Sequence, residues 1–391
     1  MNKFGIIENE GLPYAVLQYA VNNGNTTYIL YDEYDLTETV FLNHSELVVK
    51  SDGAILQTSE NITAFEVKGN NTDRLYRIKI EGLHFRGNGI GEKAIYIEYG
   101  NSIDVFDIDM SNFSIGLHVK DVWLNRYFNI HAIWNGIGFY AQNPETNNQF
   151  ELFSFKVHES DNEGFWMQKI SGVQAFQIEA MANGGDGILI ENGEWNEFVS
   201  VLSDLNEGNG LSLEGITGTI NLRGFRFTDL WSGSNAGFGI YTDAYTQDIT
   251  ITSGMLRDNQ QDPIFLNGKY TVISSIVIDI FDETLSGILL DGTYNTITNC
   301  VFKNGEYGIE ELANADFNII TDNVFRYYDI NALKLIGKNT VSANNILDQK
   351  VESETSWWQD EKRIAILIGV IAVIIVAVIA SIDRLRARAT W

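Results

Sequence analysis

Along most of the chain a small or turn residue is followed by an apolar, a variable and a second apolar residue, and this unit keeps returning. It is read at Ala94-Ile-Tyr-Ile, Gly116-Leu-His-Val, Gly138-Phe-Tyr-Ala, Gly164-Phe-Trp-Met, Gly187-Ile-Leu-Ile and Gly210-Leu-Ser-Leu. It continues from Gly239, Pro263, Gly287, Gly308 and Ala332, at spacings of 21 to 29 residues, about 24 on average. Apolar residues at alternate positions predict a half-buried strand. A second apolar series, led by Phe128, Phe150, Phe176, Phe198, Ile220 and Ile249, lengthens at the same two places. Two strands in fixed phase, with no helical period between them, predict the stacked coils of a parallel β-helix.

Polar residues punctuate the coils. A turn column is expected at Asn135, Asn183, Asn206, Asp229, Asp258, Asp279 and Asn304, since short polar side chains tolerate left-handed backbone and bond their own turns. TNCVF (298–302), TDNVF (321–325) and ANNIL (343–347) stack near the end, with the lone cysteine, Cys300, on a buried and inert rung. The residue between the two inward apolar positions points outward. In order it reads Tyr96, His118, Tyr140, Trp166, Leu189, Ser212, Tyr241, Phe265, Leu289, Glu310 and Lys334, too apolar for a washed face. Tyr96, His118, Tyr140, Trp166, Tyr241 and Phe265 are therefore the candidate binding or interface residues.

A different pattern occupies the C-terminus. From Ile364 to Ile382 run 19 residues without a charge, enough for one transmembrane helix. Trp357, Trp358, Lys362 and Arg363 flank it on one side and Arg384 and Arg386 on the other. The expected organisation is a cap with the first strands over 1–50, a β-helix over 51–350, and a juxtamembrane linker over 351–363. A membrane span over 364–382 and a basic tail over 383–391 complete it. The arginines after the span place the C-terminus inside and the β-helix outside, although the N-terminus shows no conventional signal peptide.

Charge narrows the partners. The chain carries −26, and residues 362–391 hold five basic residues against one acidic, which leaves −30 on everything before them. So acidic a body repels phosphate backbones and excludes nucleic acid as a partner. A single cysteine rules out an internal disulfide, and with five scattered histidines (44, 84, 118, 131, 158) it leaves no transition-metal site. No cofactor is expected.

NTITNCVFKNGEYGIEE and NIITDNVF resemble the repeats of the pectin-lyase-like superfamily, with their NxIxxNxh pattern. The opening, PYAVLQYAVNNGNTTYILYDEYDL, is similar to tailspike and pectate-lyase-type domains, where an amphipathic helix caps the solenoid. Pro13 would stand in its first turn and Leu17, Ala20 and Val21 would face the first coil. The resemblance implies an all-β, right-handed parallel β-helix with an N-terminal capping helix, to which the C-terminal transmembrane helix is added. The superfamily holds lyases, hydrolases, adhesins and virus spikes, and the Asp pair and Gly-His-Gly of polygalacturonases are absent.

No catalytic set stands out. Asp104, Asp107 and Asp109, and Glu159, Asp161 and Glu163, are carboxylate runs suited to glycoside hydrolysis or Ca²⁺, and equally to solvated turns of an acidic chain. The expectation is a membrane-anchored surface spike or adhesin of a virion or cell envelope, associated with a lipid bilayer. Its copies would assemble, with a trimer as the model, and the outward column would meet a cell-surface glycan, a receptor or a neighbouring copy. A membrane-tethered polysaccharide lyase or glycoside hydrolase is the alternative, and a structural capsid or envelope component without a ligand is the second.

Overall fold

The computed structural model describes residues 4–7, 14–142, 149–215, 222–328 and 332–349. The chain divides into two units, Met1–Asp348 and Gln349–Trp391, and the fold described is that of the first. Each coil passes through three parallel sheets. Sheet 1 starts with Phe4–Ile7 paired to Thr26–Ile29, sheet 2 with Glu33–Asp35 and sheet 3 with Val40–Phe41, and later strands such as Asp104–Lys120 bend through all three. In sheet 3 one row of paired residues runs Val40, Phe65, Ile95, Leu117, Phe139, Phe165, Ile188, Leu211, Ile240, Ile264, Ile288, Ile309 and Leu333, one per coil and about 13 turns. All but Leu333 are buried, so the Gly-apolar-x-apolar unit is the sheet 3 strand, its apolar pair filling the coil interior. The helix Tyr14–Asn23 closes one end, with Leu17 and Val21 buried and Ala20 packed beside them.

Corners are built by single left-handed residues. Between sheets 2 and 3 they include Trp134 (φ 55°), Ala182 (57°), Leu205 (60°), Ser234 (52°) and Asp258 (56°). Each is followed by a buried asparagine: Asn135, Asn183, Asn206, Asn235 and Asn259. Their amides form a ladder up the rod. Asn206 Oδ1 accepts from the Asn183 N–H (3.1 Å) and Nδ2 (2.8 Å), and Asn235 Oδ1 accepts from the Asn206 N–H (3.1 Å) and Nδ2 (2.8 Å). Asn259 repeats the pattern for Asn235. An asparagine carries both the acceptor and the donor each rung needs, which satisfies backbone groups that a sharp corner would orphan.

The ladder also explains the glycine that opens each repeat. A Cβ at Gly187 would collide with Ser203 Oγ and lie 2.6 Å from Asn206 Nδ2, and one at Gly210 would lie 2.7 Å from Asn235 Nδ2. Glycine is needed there for space, because a ladder amide and the next coil's carbonyl occupy the side-chain volume. Shorter ladders mark the other corners. Asn318 and Asn295 pair between sheets 3 and 1, and Asn345, Asn323 and the buried Cys300 line up between sheets 1 and 2. Burial raises the Cys300 thiol to about 11, which keeps it protonated and unreactive.

Four expectations change. The second apolar series mixes two faces: Phe128 is paired with Phe153 and then Phe176, all pointing outward, whereas Phe150 and Phe198 are buried. Ile220 lies outside the described residues. The turn column is right at Asn135, Asn183 and Asn206, but Asn235 and Asn259 continue it, while Asp229, Asp258 and Asn304 are left-handed corner residues and Asp279 ends a sheet 2 strand. The third correction concerns fold class. Among the described residues no helix is long and apolar enough to cross a membrane. The one helix there has ten residues, where a bilayer core needs roughly 20. The fold is thus an all-β parallel solenoid with a short N-terminal helix, and the C-terminal transmembrane helix is not part of it. The fourth correction follows from the same finding: the localisation as a single-pass membrane protein does not stand. The segment 364–382 and its flanks Trp357, Trp358, Lys362, Arg363, Arg384 and Arg386 lie outside the described residues.

Candidate functional site

The outward row of sheet 3 is in the register that its sequence period predicts. Tyr96 pairs with His118, Tyr140 follows, then Trp166, Leu189 and Ser212, then Tyr241, Phe265 and Leu289. Coil spacing brings the rings into contact. Tyr96–His118, His118–Tyr140 and Tyr140–Trp166 centroids lie 4.9, 4.8 and 4.8 Å apart, and Tyr241 stacks on Phe265 at 5.5 Å. Leu189 and Ser212 separate the two groups. Because the rings face one another, each covers its neighbours, so that Tyr96, Tyr140 and Trp166 are half-buried and His118 is 7% exposed. What faces solvent is ring edges and polar tips: the Tyr140 hydroxyl donates to Gln168 Oε1 (3.0 Å) and Trp166 Nε1 donates to Glu191.

Beside this row runs a second outward column two residues further along each strand: Glu98, Lys120, Gln142, then Gln168, Glu191 and Glu214. Its upper part is balanced, with Glu98 bridging Lys68 (3.2 Å) and Lys120 (2.8 Å). Its lower part is acidic. Glu191 and Glu214 are joined by Asp186, which accepts from Ser212 Oγ and the Asn209 N–H, and by Asp243, which accepts from the Gly215 and Tyr245 N–H groups. Burial is the first cause holding the carboxyl groups of Asp186, Glu214 and Asp243 above their ordinary range. For Glu214 the charges of Asp186, Glu191 and Asp243 push further in the same direction. Sequence reading named none of these four carboxylates, although the alternation that located the aromatic row also marks the position two residues on.

Burial, with Lys93 and Lys120 nearby, lowers the His118 imidazole to about 4. Its unfolded value is 6.5, so the unfolded chain binds the extra proton first. His118 therefore withdraws stability as pH falls from about 6.5 to about 4, by a total of about 3 kcal/mol. His118→Phe should remove that part of the acid sensitivity: its urea midpoint relative to wild type should rise between pH 7 and pH 4.

The other carboxylate candidates serve local pairs. Asp104 takes both Arg126 bonds (2.8 and 2.6 Å), Asp107 accepts from Asn129 (2.7 Å), Asp109 bridges His84 (2.7 Å), and Glu159 accepts from the Trp134 indole (2.7 Å). Asp161 and Glu163 sit in the corner that follows, Asp161 exposed and Glu163 half-buried. No group of three His, Cys, Asp or Glu among the described residues is placed to hold a metal. A further outward row, which contains Phe128 of the second apolar series, stacks Phe106, Phe128 and Phe153 at 5.2 and 5.5 Å.

No protein-family description matches the chain, and no curated protein does. Solved structures do. The A-module of mannuronan C-5 epimerase AlgE6 from Azotobacter vinelandii is similar with a TM-score of 0.63 at 13% identity, over 86% of this chain and 95% of that one. DFA-IIIase from Arthrobacter chlorophenolicus A6, without its lid, gives 0.59 at 10%, over 88% and 99%. The pre-mature gene product 12 of bacteriophage phi29 gives 0.61 at 12%, over 86% of this chain and 54% of that one. With the three-sheet coil these likenesses show a pectin-lyase-like, right-handed parallel β-helix, and at such identities they speak to fold alone.

Proposed function

We propose that this protein is a virion-surface β-helix that recognises a polysaccharide of the host envelope along the outward face of sheet 3. The observation that carries it is the aromatic row Tyr96–His118–Tyr140–Trp166 held in register beside a column of amides and carboxylates. That is a rigid strip of ring edges and hydrogen-bonding groups repeating at coil spacing, suited to a polymer with its own repeat. The fold occurs in a phage protein and in an epimerase named for mannuronan, which is consistent with a virion β-helix and supports a carbohydrate ligand.

The test is binding of purified protein to immobilised host-envelope polysaccharide, with Tyr140→Ser and Trp166→Ser combined. Wild type should bind and the double variant should lose about tenfold or more, since two large contact rings are removed. Unchanged binding by the double variant ends the reading. Native mass is measured on the same samples: a wild-type trimer that falls to monomer in the variant moves the row to assembly between copies. A second reading, cleavage of the bound polymer, is favoured by Glu214, whose raised carboxyl among Asp186, Glu191 and Asp243 suits a proton donor. Polysaccharide shortened by wild type and left intact by Glu214→Gln would establish it.

A further inference from the structure

Trp195 is the most exposed tryptophan among the described residues, at 65%, and it stands on left-handed backbone (φ 58°) at the corner between sheets 3 and 1. A large side chain is an uncommon choice there, because L-residues resist this conformation and glycine or asparagine accepts it. Where the same corner carries aromatics in successive coils they cover one another: Tyr270, Tyr294 and Phe317 stack at 5.4 and 4.9 Å. Around Trp195 the arrangement differs. The corner residue of the coil before is Gly172 (φ 70°) and that of the coil after is Gly224 (φ 69°), so neither neighbouring rung offers a side chain to stack on the indole. The indole leans on Gly224, where an added Cβ would lie 2.7 Å from Trp195 Cε3. One ring face thus rests on backbone, and the large exposure belongs to the opposite face and the edge.

That indole lines a groove of about 450 Å³ together with Gln174, Glu197, Arg226 and Asp248. Such a rim mixes donors and acceptors, as a sugar hydroxyl does, since each hydroxyl both gives and takes a hydrogen bond. An open indole face opposite a mixed polar rim matches the apolar face and hydroxyl edge of a pyranose ring. Two carboxylates against one guanidinium, in a body of strongly negative charge, select against anionic sugars. We infer that the Trp195 groove is a subsite for a neutral saccharide ring. It shares its ligand class with the reading above and rests on a different surface, around the corner from the outward row of sheet 3.

The experiment is saturation-transfer NMR on the full chain with cellohexaose, maltohexaose and chitohexaose, and with choline as a cationic control. At least one hexaose should receive saturation and bind about tenfold more weakly to Trp195→Ala, with Trp195→Phe between the two because it keeps a ring. The Tyr140→Ser/Trp166→Ser variant should keep this binding, which separates the two surfaces. No transfer to any hexaose, equal affinity of wild type and Trp195→Ala, or transfer to choline alone would each overturn the inference. Far-UV circular dichroism of Trp195→Phe identifies any loss caused by unfolding.

Discussion

Asn206→Asp should unfold the central coils, although the change swaps two residues that behave alike in an ordinary turn. Asn206 is 1% exposed, and its Nδ2 donates to Ser203 Oγ (3.0 Å), Asn235 Oδ1 (2.8 Å) and the Ala180 carbonyl (3.3 Å). A carboxylate has no proton to give, so the two amide protons that serve these three acceptors are lost, and two of the acceptors, Asn235 Oδ1 and the Ala180 carbonyl, face a buried negative charge. Protonation would relieve the charge and restore only one donor. The expected loss is roughly 3–5 kcal/mol, read as a lower urea midpoint. Leu205→Asn, one residue earlier, is the control: Leu205 is 53% exposed at φ 60°, and asparagine relieves left-handed strain, so stability should hold or rise. Equal losses at 205 and 206 would mean that the ladder contributes nothing beyond an ordinary corner.

Ile188→Asp should be at least as severe. Ile188 is fully buried and paired between Phe165 and Leu211, so its carboxylate would have apolar neighbours above, below and across the coil. Burying an unpaired charge costs several kcal/mol, more than most single substitutions. In a solenoid each coil contacts chiefly the next, and the damage should spread as loss of neighbouring coils before the ends are affected. Hydrogen exchange followed by mass spectrometry should show protection lost first in peptides covering 165–213 and last near residues 49 and 320. Uniform loss along the rod would instead indicate a single cooperative unit.

What sequence reading recovers, and what it misses, follows from the corners. Within sheet 3 the alternation is uninterrupted, so the inward and outward assignments of Ile95, Tyr96 and Ile97, and of their counterparts through Leu289, hold in the structure. A left-handed residue between sheets 1 and 2 adds one step and reverses the phase: Phe128 points out, Asn129 turns the chain, and Ile130 points in. Outward phenylalanines on one side of such a step look like core residues. The ladder is obscured for a related reason. A corner residue and the rung after it both favour short polar side chains, so Asp258 and Asn259 are interchangeable by composition, and only burial demands the amide of Asn259. The carboxylates around Glu214 were within reach of the alternation rule, but their closeness to Asp186 and Asp243 depends on how far each corner carries the chain. The openness of the Trp195 ring needed the structure, because its two glycine neighbours are 23 and 29 residues away in sequence.

The left-handed corners have a consequence for how this protein can change over generations. Where it is not a glycine, a corner residue such as Trp134 or Leu205 places its side chain outside the coil, and the buried residue after it holds the coil together. Trp134, Leu205, Tyr270 and Asp248 occupy equivalent kinds of position with unrelated chemistry. The exterior is therefore a set of separable letters over a constant grammar. A lineage can rewrite them one coil at a time, acquiring or discarding affinity for a new surface, while selection on the amide rungs and their glycines proceeds undisturbed.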